Sequence, residues 1–186
     1  MTIMKAWPKA TVSMMAASMV LACEQDPVRV ESVGVTRPVI GNAATSVKVA
    51  ASGSFNQTAI TSLDVQIAGG NTILNQTSVG AITGTLTGHF EDDLKVVIHP
   101  NGKFNAQVTI TCTCTVDGKF GVLEMVAGDT GELVSPTLAV FAGRAVIKGG
   151  TGDLSGLRGV LRIEGTVDVA TGLATYGYTG DIHFEP

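Results

Sequence analysis

Cys112 and Cys114 stand two residues apart in Thr-Cys-Thr-Cys-Thr, so a β-strand there puts both thiols on one face. A zinc ribbon needs Cys-x-x-Cys pairs, and the third cysteine, Cys23, is remote, so no zinc set is expected. Two readings of the pair stand. One is small buried core residues, following the burial habit of cysteine; the other is a local disulfide in an oxidising compartment. A disulfide there is strained, because side chains at i and i+2 of a strand stand nearly parallel. No neighbouring base can be argued from the sequence, so a catalytic thiol is not expected.

His89, His99 and His183, the only histidines, are scattered over three candidate strands and show no ligand spacing. Glu91, Asp92 and Asp93 lack the alternating oxygen ligands of a calcium loop and read as a solvated strand start. No metal and no cofactor is therefore expected. Glu124, Arg144, Arg158 and Arg162 lie on apolar strands or beside a glycine-rich stretch. An arginine pointing into a barrel must anchor a ligand or pair with a carboxylate, because an unpaired buried charge is too costly. Glu124, Arg144 and Arg158 are thus candidate cavity or loop anchors, with a loop-tying role preferred for Arg158. Tyr176 and Tyr178 share strand parity with Ile182 and Phe184, and either line a cavity or pack. Residues 149–159, Gly-Gly-Thr-Gly-Asp-Leu-Ser-Gly-Leu-Arg-Gly, have no Gly-Lys-Ser/Thr and no following helix, which argues against a phosphate loop. They read as a connection whose glycines supply positive φ, with Leu154 and Leu157 tucked under the end of the domain.

These side chains must be positioned by strands. Phe104, Ala106, Val108, Ile110, Cys112, Cys114 and Val116 share one parity, with polar residues between them. Such alternation is a strand with one buried and one wet face. Asn101-Gly102 before it and Asp117-Gly118 after it are hairpin signals, since both residue types can take positive φ. Residues 92–127 therefore read as a three-stranded meander. Further strands are expected over 47–55, 63–67, 82–90, 138–147, 160–167 and 174–184, several of them interrupted by glycine, a mark of bulges and barrel corners. No amphipathic helix stands out. The fold class is all-β: a closed antiparallel barrel of about eight strands, whose closure removes exposed edges.

The first 22 residues carry Lys5 and Lys9 ahead of an uncharged apolar run that ends Val20-Leu21-Ala22-Cys23, which marks a secretory signal. The ending resembles the bacterial lipobox, in which the cysteine becomes the lipidated amino terminus. Cys23 is the expected lipidation site and the lipid membrane the expected partner. That places the protein in the bacterial cell envelope, on the outer membrane or the cell exterior. Residues 23–44, with Pro27, Gly34, Pro38 and Gly41, read as the tether, and residues 45–186 as the barrel domain. The chain is 45% hydrophobic and 15% charged, which excludes a disordered protein. Removing the leader leaves a formal charge of −6 and takes away Trp7, the only tryptophan. That balance argues against nucleic acid as a partner.

The glycine segment 149–159 resembles the corresponding segment of the allene-oxide-cyclase-barrel-like proteins, a superfamily that includes the plant dirigent proteins. Three further stretches resemble bacterial secreted proteins with that barrel domain. They are Val-Val-Ile-His-Pro-Asn-Gly-Lys-Phe at 96–104, Thr-Cys-Thr-Cys-Thr-Val-Asp-Gly-Lys-Phe-Gly at 111–121 and the terminal Tyr-x-Gly-x-Ile-His-Phe-x-Pro frame. The resemblance covers residues 79–186. It implies an eight-stranded antiparallel barrel able to hold a small apolar molecule, and by analogy a homotrimer. Plant members cyclise an epoxide or steer radical coupling by shaping a cavity. None of their catalytic residues is carried over onto this chain.

The leading functional expectation is non-catalytic: a small barrel binding an apolar ligand, or a surface structural module. The alternative is an isomerase or cyclase acting by cavity confinement. An inward-facing carboxylate or arginine in a dry pocket would favour the enzyme. A barrel filled solid by side chains would exclude both ligand readings.

Overall fold

The computed structural model describes residues 47–185. The leader, Cys23 and the tether lie outside them. Eight strands follow one another: β1 (Val49–Ala68), β2 (Asn71–Gly84), β3 (Leu86–Ile98), β4 (Lys103–Val116), β5 (Lys119–Ser135), β6 (Leu138–Gly150), β7 (Leu157–Asp168) and β8 (Leu173–Phe184). Each pairs antiparallel with the next, and β8 pairs back to β1, so the sheet is a closed barrel. The all-β barrel expected from the alternation is the fold observed.

Several boundaries differ from the sequence reading. The two segments expected at 47–55 and 63–67 belong to one strand, β1, with register shifts after Gln57 and Ile60. Its second half runs past β8, which pairs only with Val49–Asn56, and leaves Leu63, Val65 and Ile67 exposed. The strand expected over 82–90 is broken by a turn. Gly84, at φ 107°, bends the chain, and Thr85 bonds to Ser52 of β1 instead of continuing the strand. At 99–103 only Gly102 has positive φ; Asn101 does not. Gly102 N–H donates to the His99 carbonyl (2.9 Å), closing a turn that starts at His99 and has Pro100 and Asn101 at its centre. Proline's fixed φ suits the first central position of a type I turn, with glycine closing it in the left-handed region. Asp117-Gly118 does take positive φ at both residues.

The barrel interior is packed at one end. Leu86, Leu123, Met125, Ile147, Leu157 and Leu161 are fully buried there. A single 3₁₀ turn, Gly152–Leu154, closes this end and inserts Leu154. Its backbone lies so close to β5 and β6 that a Cβ at Gly121 or Gly150 would overlap it. Cys112 and Cys114 face this packed half, both fully buried, with Cα atoms 5.5 Å apart and their sulfurs in contact.

Tyr178 also belongs to the packed half. Its hydroxyl accepts a hydrogen bond from Leu86 N–H (2.8 Å) and donates to the Thr83 carbonyl (3.3 Å), so it holds the β2–β3 turn from inside. Burial pushes its pKa up, and the bond from Leu86 works against that. Tyr178→Phe keeps the ring but strands the buried Leu86 N–H. The expected cost in a urea titration is about 1–3 kcal/mol, the usual penalty for an unsatisfied buried donor. A loss below a few tenths of a kcal/mol would mean that the turn is held by other contacts.

Candidate ligand cavity

The opposite half of the barrel is not filled. An eight-stranded barrel encloses just enough room for its own side chains, so small inward residues leave a void. Ala106, Ala127 and Ala174 are such positions. They border a cavity of about 70 Å³, whose apolar wall includes Ile110, Phe141, Ile163 and Val167. Phe55 stacks on Tyr176 at 4.8 Å and meets Phe90 edge-on at 5.2 Å, so an aromatic column separates the packed half from the void.

Two carboxylates point into this apolar space. Asp92 sits on β3, where alternation sends Glu91 and Asp93 outward and Asp92 inward; only 2% of it is exposed. This corrects the solvated strand start expected for 91–93. Ser78 Oγ donates to Asp92 Oδ1, and Gln57 Nε2 donates to Oδ2 (2.8 Å). The Gln57 carbonyl oxygen in turn accepts from Ala174 N–H (2.8 Å). That contact continues β1–β8 pairing by side chain just past the Asn56–Thr175 pair, where the backbone ladder ends. Burial raises the pKa of Asp92, opposed by the bonds from Ser78 and Gln57.

Asp129, on β5, is 8% exposed, and its Oδ1 has no hydrogen-bond partner. It lies opposite Gly143 of β6, and a Cβ there would overlap Oδ1. Glycine at 143 is thus what lets the carboxylate fold back against β6. Desolvation pushes the Asp129 pKa up to about 6. Tyr176 has its pKa raised well above the ordinary phenol value, by burial first and then by the charges of Asp92 and Asp129. All three groups line the one cavity.

Of the candidate anchors named from sequence, Tyr176 alone lines the cavity. Glu124 and Arg144 have the opposite parity to Leu123, Met125 and Ala145, and both are exposed on the outer wall. Arg162 is likewise exposed, and neither His89 nor His183 reaches the void. Arg158 is half-buried at the closed end, where it pairs with Glu185 (3.2 Å) and donates to the Leu157 carbonyl. Its role there is tying the segment after the 3₁₀ turn to the end of β8. Among the described residues no His, Cys, Asp or Glu cluster could hold a metal ion. Sequence reasoning missed Asp129 and Gln57. The parity that runs Leu123, Met125, Ala127 would have found Asp129, had the meander not been ended at 127.

No protein-family model matches the chain, and no curated protein matches it. Among solved structures it is similar to a protein of unknown function from the DUF3224 family of Shewanella oneidensis MR-1. The identity is 18% and the TM-score 0.50, over 76% of this chain and 98% of that one. It is also similar to a pterocarpan synthase dirigent protein, at 12% identity and TM-score 0.47, over 83% of this chain and 98% of that one. At 18% identity the likeness to the first of these is one of barrel fold alone.

Proposed function

We propose that the barrel binds a small, largely apolar molecule in its open half, and that the protein is held outside the cytoplasmic membrane by acylated Cys23. The observation that carries the binding reading is the contrast between the two halves. One end is packed to full burial, while the other keeps a void with a buried carboxylate oxygen, Asp129 Oδ1, that has no hydrogen-bond partner among the described residues. A purely structural barrel gains nothing from such a group, because an unpaired buried charge lowers stability. The leader ending at Cys23 supports the anchor.

A second reading, an isomerase or cyclase, is favoured by Asp129 itself. A carboxyl group titrating at about 6 inside an apolar cavity suits proton transfer near neutral pH. Tyr176 and the aliphatic walls would restrict the conformers of the bound molecule.

Native mass spectrometry of the protein taken gently from the envelope tests the leading reading. The expected result is an amino terminus at Cys23 with acyl chains and a co-purifying molecule of defined mass. Protein that is empty, and that stays empty when incubated with small apolar compounds, would overturn ligand binding. A Cys112–Cys114 bond, which we also propose, would appear as a mass two hydrogens short. Turnover of the captured molecule, lost in Asp129→Asn, would favour the enzyme.

A further inference from the structure

The polar groups of the cavity are one-sided. Asp92 and Asp129 are the charged residues lining it, and no lysine, arginine or histidine does so. Asp92 is already served by Ser78 and Gln57, and Gln57 is held at its other end by Ala174. Asp129 Oδ1 is the acceptor left without a donor. No described residue donates to it, although Gln76 Nε2 of β2 is also buried without a partner. The inward positions of β4, β6 and β7 carry only apolar residues and glycine. β1 and β2 contribute Gln57, Gln76 and Ser78, which do not titrate. The titratable groups that face Asp129 are therefore Asp92 from β3 and Tyr176 from β8.

A wholly apolar guest would leave Asp129 as it is, buried and unsatisfied. An anionic guest would meet two carboxylates without a counter-charge. A guest with a hydrogen-bond donor satisfies Oδ1, and a cationic donor also neutralises the charge, in surroundings where an ion pair is little screened. The remaining wall, with Ile110, Phe141 and Ile163, calls for an apolar body of modest size. We propose, resting on the ligand-binding reading above, that the natural ligand is a small apolar amine, bound as its ammonium ion on Asp129 with its hydrocarbon part against Phe141 and Ile110.

Benzylamine, benzyl alcohol and benzoate present one apolar body with three head groups. Their binding to the full protein is read by calorimetric titration. At about pH 8, where Asp129 is ionised, the expected affinity for benzylamine exceeds that for benzyl alcohol by about tenfold or more, in line with a hydrogen bond to a charged partner. At about pH 4.5 that ratio shrinks, because Asp129 takes up its proton while the amine stays charged. Asp129→Asn brings the ratio to near one and retains benzyl alcohol binding. Equal affinities for amine and alcohol in the wild type, or a preference for benzoate, would overturn the amine and leave the ligand barrel standing. A benzylamine preference that survives in Asp129→Asn would overturn the assignment to Asp129. Binding of none of the three would overturn this inference together with the reading it rests on.

Discussion

Asp129→Asn is expected to stabilise the protein at neutral pH, by about 2 kcal/mol. The folded-state pKa of about 6 lies above the ordinary 3.8, so the unfolded chain gives up its proton first as pH rises. Between those values the unfolded state binds fewer protons than the folded state, and stability falls with rising pH. The full difference, reached above pH 6, is about 3 kcal/mol at 1.36 kcal/mol per pKa unit. Asparagine stays neutral and escapes this cost, but it brings an amide with no partner in place, so a part of the gain is lost. Urea titrations at about pH 8 and about pH 4 separate the contributions. The variant should be more stable than wild type at the higher pH and no more stable at the lower. A difference that does not change with pH would show that Asp129 is solvated in solution, and one of the opposite sign that it is paired. Asp92, also raised but hydrogen-bonded on both oxygens, still contributes its own slope in the variant.

Leu154→Ala is expected to cost about 3–4 kcal/mol, in the upper part of the range for a buried leucine. Leu154 is fully buried beneath the closed end of the barrel. The 3₁₀ turn that carries it is clamped on both sides. Thr151 N–H donates to the Val122 carbonyl (2.8 Å), and Glu185 N–H to the Gly156 carbonyl (2.8 Å). With β5 and β6 touching its backbone, the turn has little freedom to move inward and fill the gap. The cost of truncation depends on such collapse. A comparator at the other end is Val167→Ala, a half-buried residue on the cavity wall. It removes less surface and enlarges a void already present, so about 1 kcal/mol is expected. Equal losses for the two variants would show that the ends of the barrel are equally packed.

Much of the fold was legible before any coordinates. Alternation is a local signal, and in a closed barrel it has one meaning, inside or outside, so β4 reads directly from residues 104–116. Where the signal weakens, the reading fails for definable reasons. β1 beyond Gln57 is bulged and exposed on both faces, so nothing marks it as half-buried. The β2–β3 turn has no cluster of turn residues, because Gly84 alone supplies the bend and Thr85 finds its partner on β1.

The candidate site was less legible than the frame. Charge type drew attention to Arg144 and Glu124, yet parity with their neighbours puts both on the outer wall. Asp92 looked solvated among Glu91 and Asp93, since three consecutive acids resemble a wet surface until strand parity separates the middle one from its neighbours.

Sequence alone therefore determined the all-β class, the two-residue period of the walls, the tight turn at Asp117-Gly118 and the glycine-rich connection that carries Leu154. All of these rest on interactions between residues close in the chain. Only the tertiary structure decided that Asp92, Asp129 and Tyr176 share one cavity, that Gln57 bridges β3 and β8, and that one end is packed while the other is open. Those outcomes depend on which strands come to face one another across the barrel and on how their side-chain volumes add up. No local pattern carries either quantity.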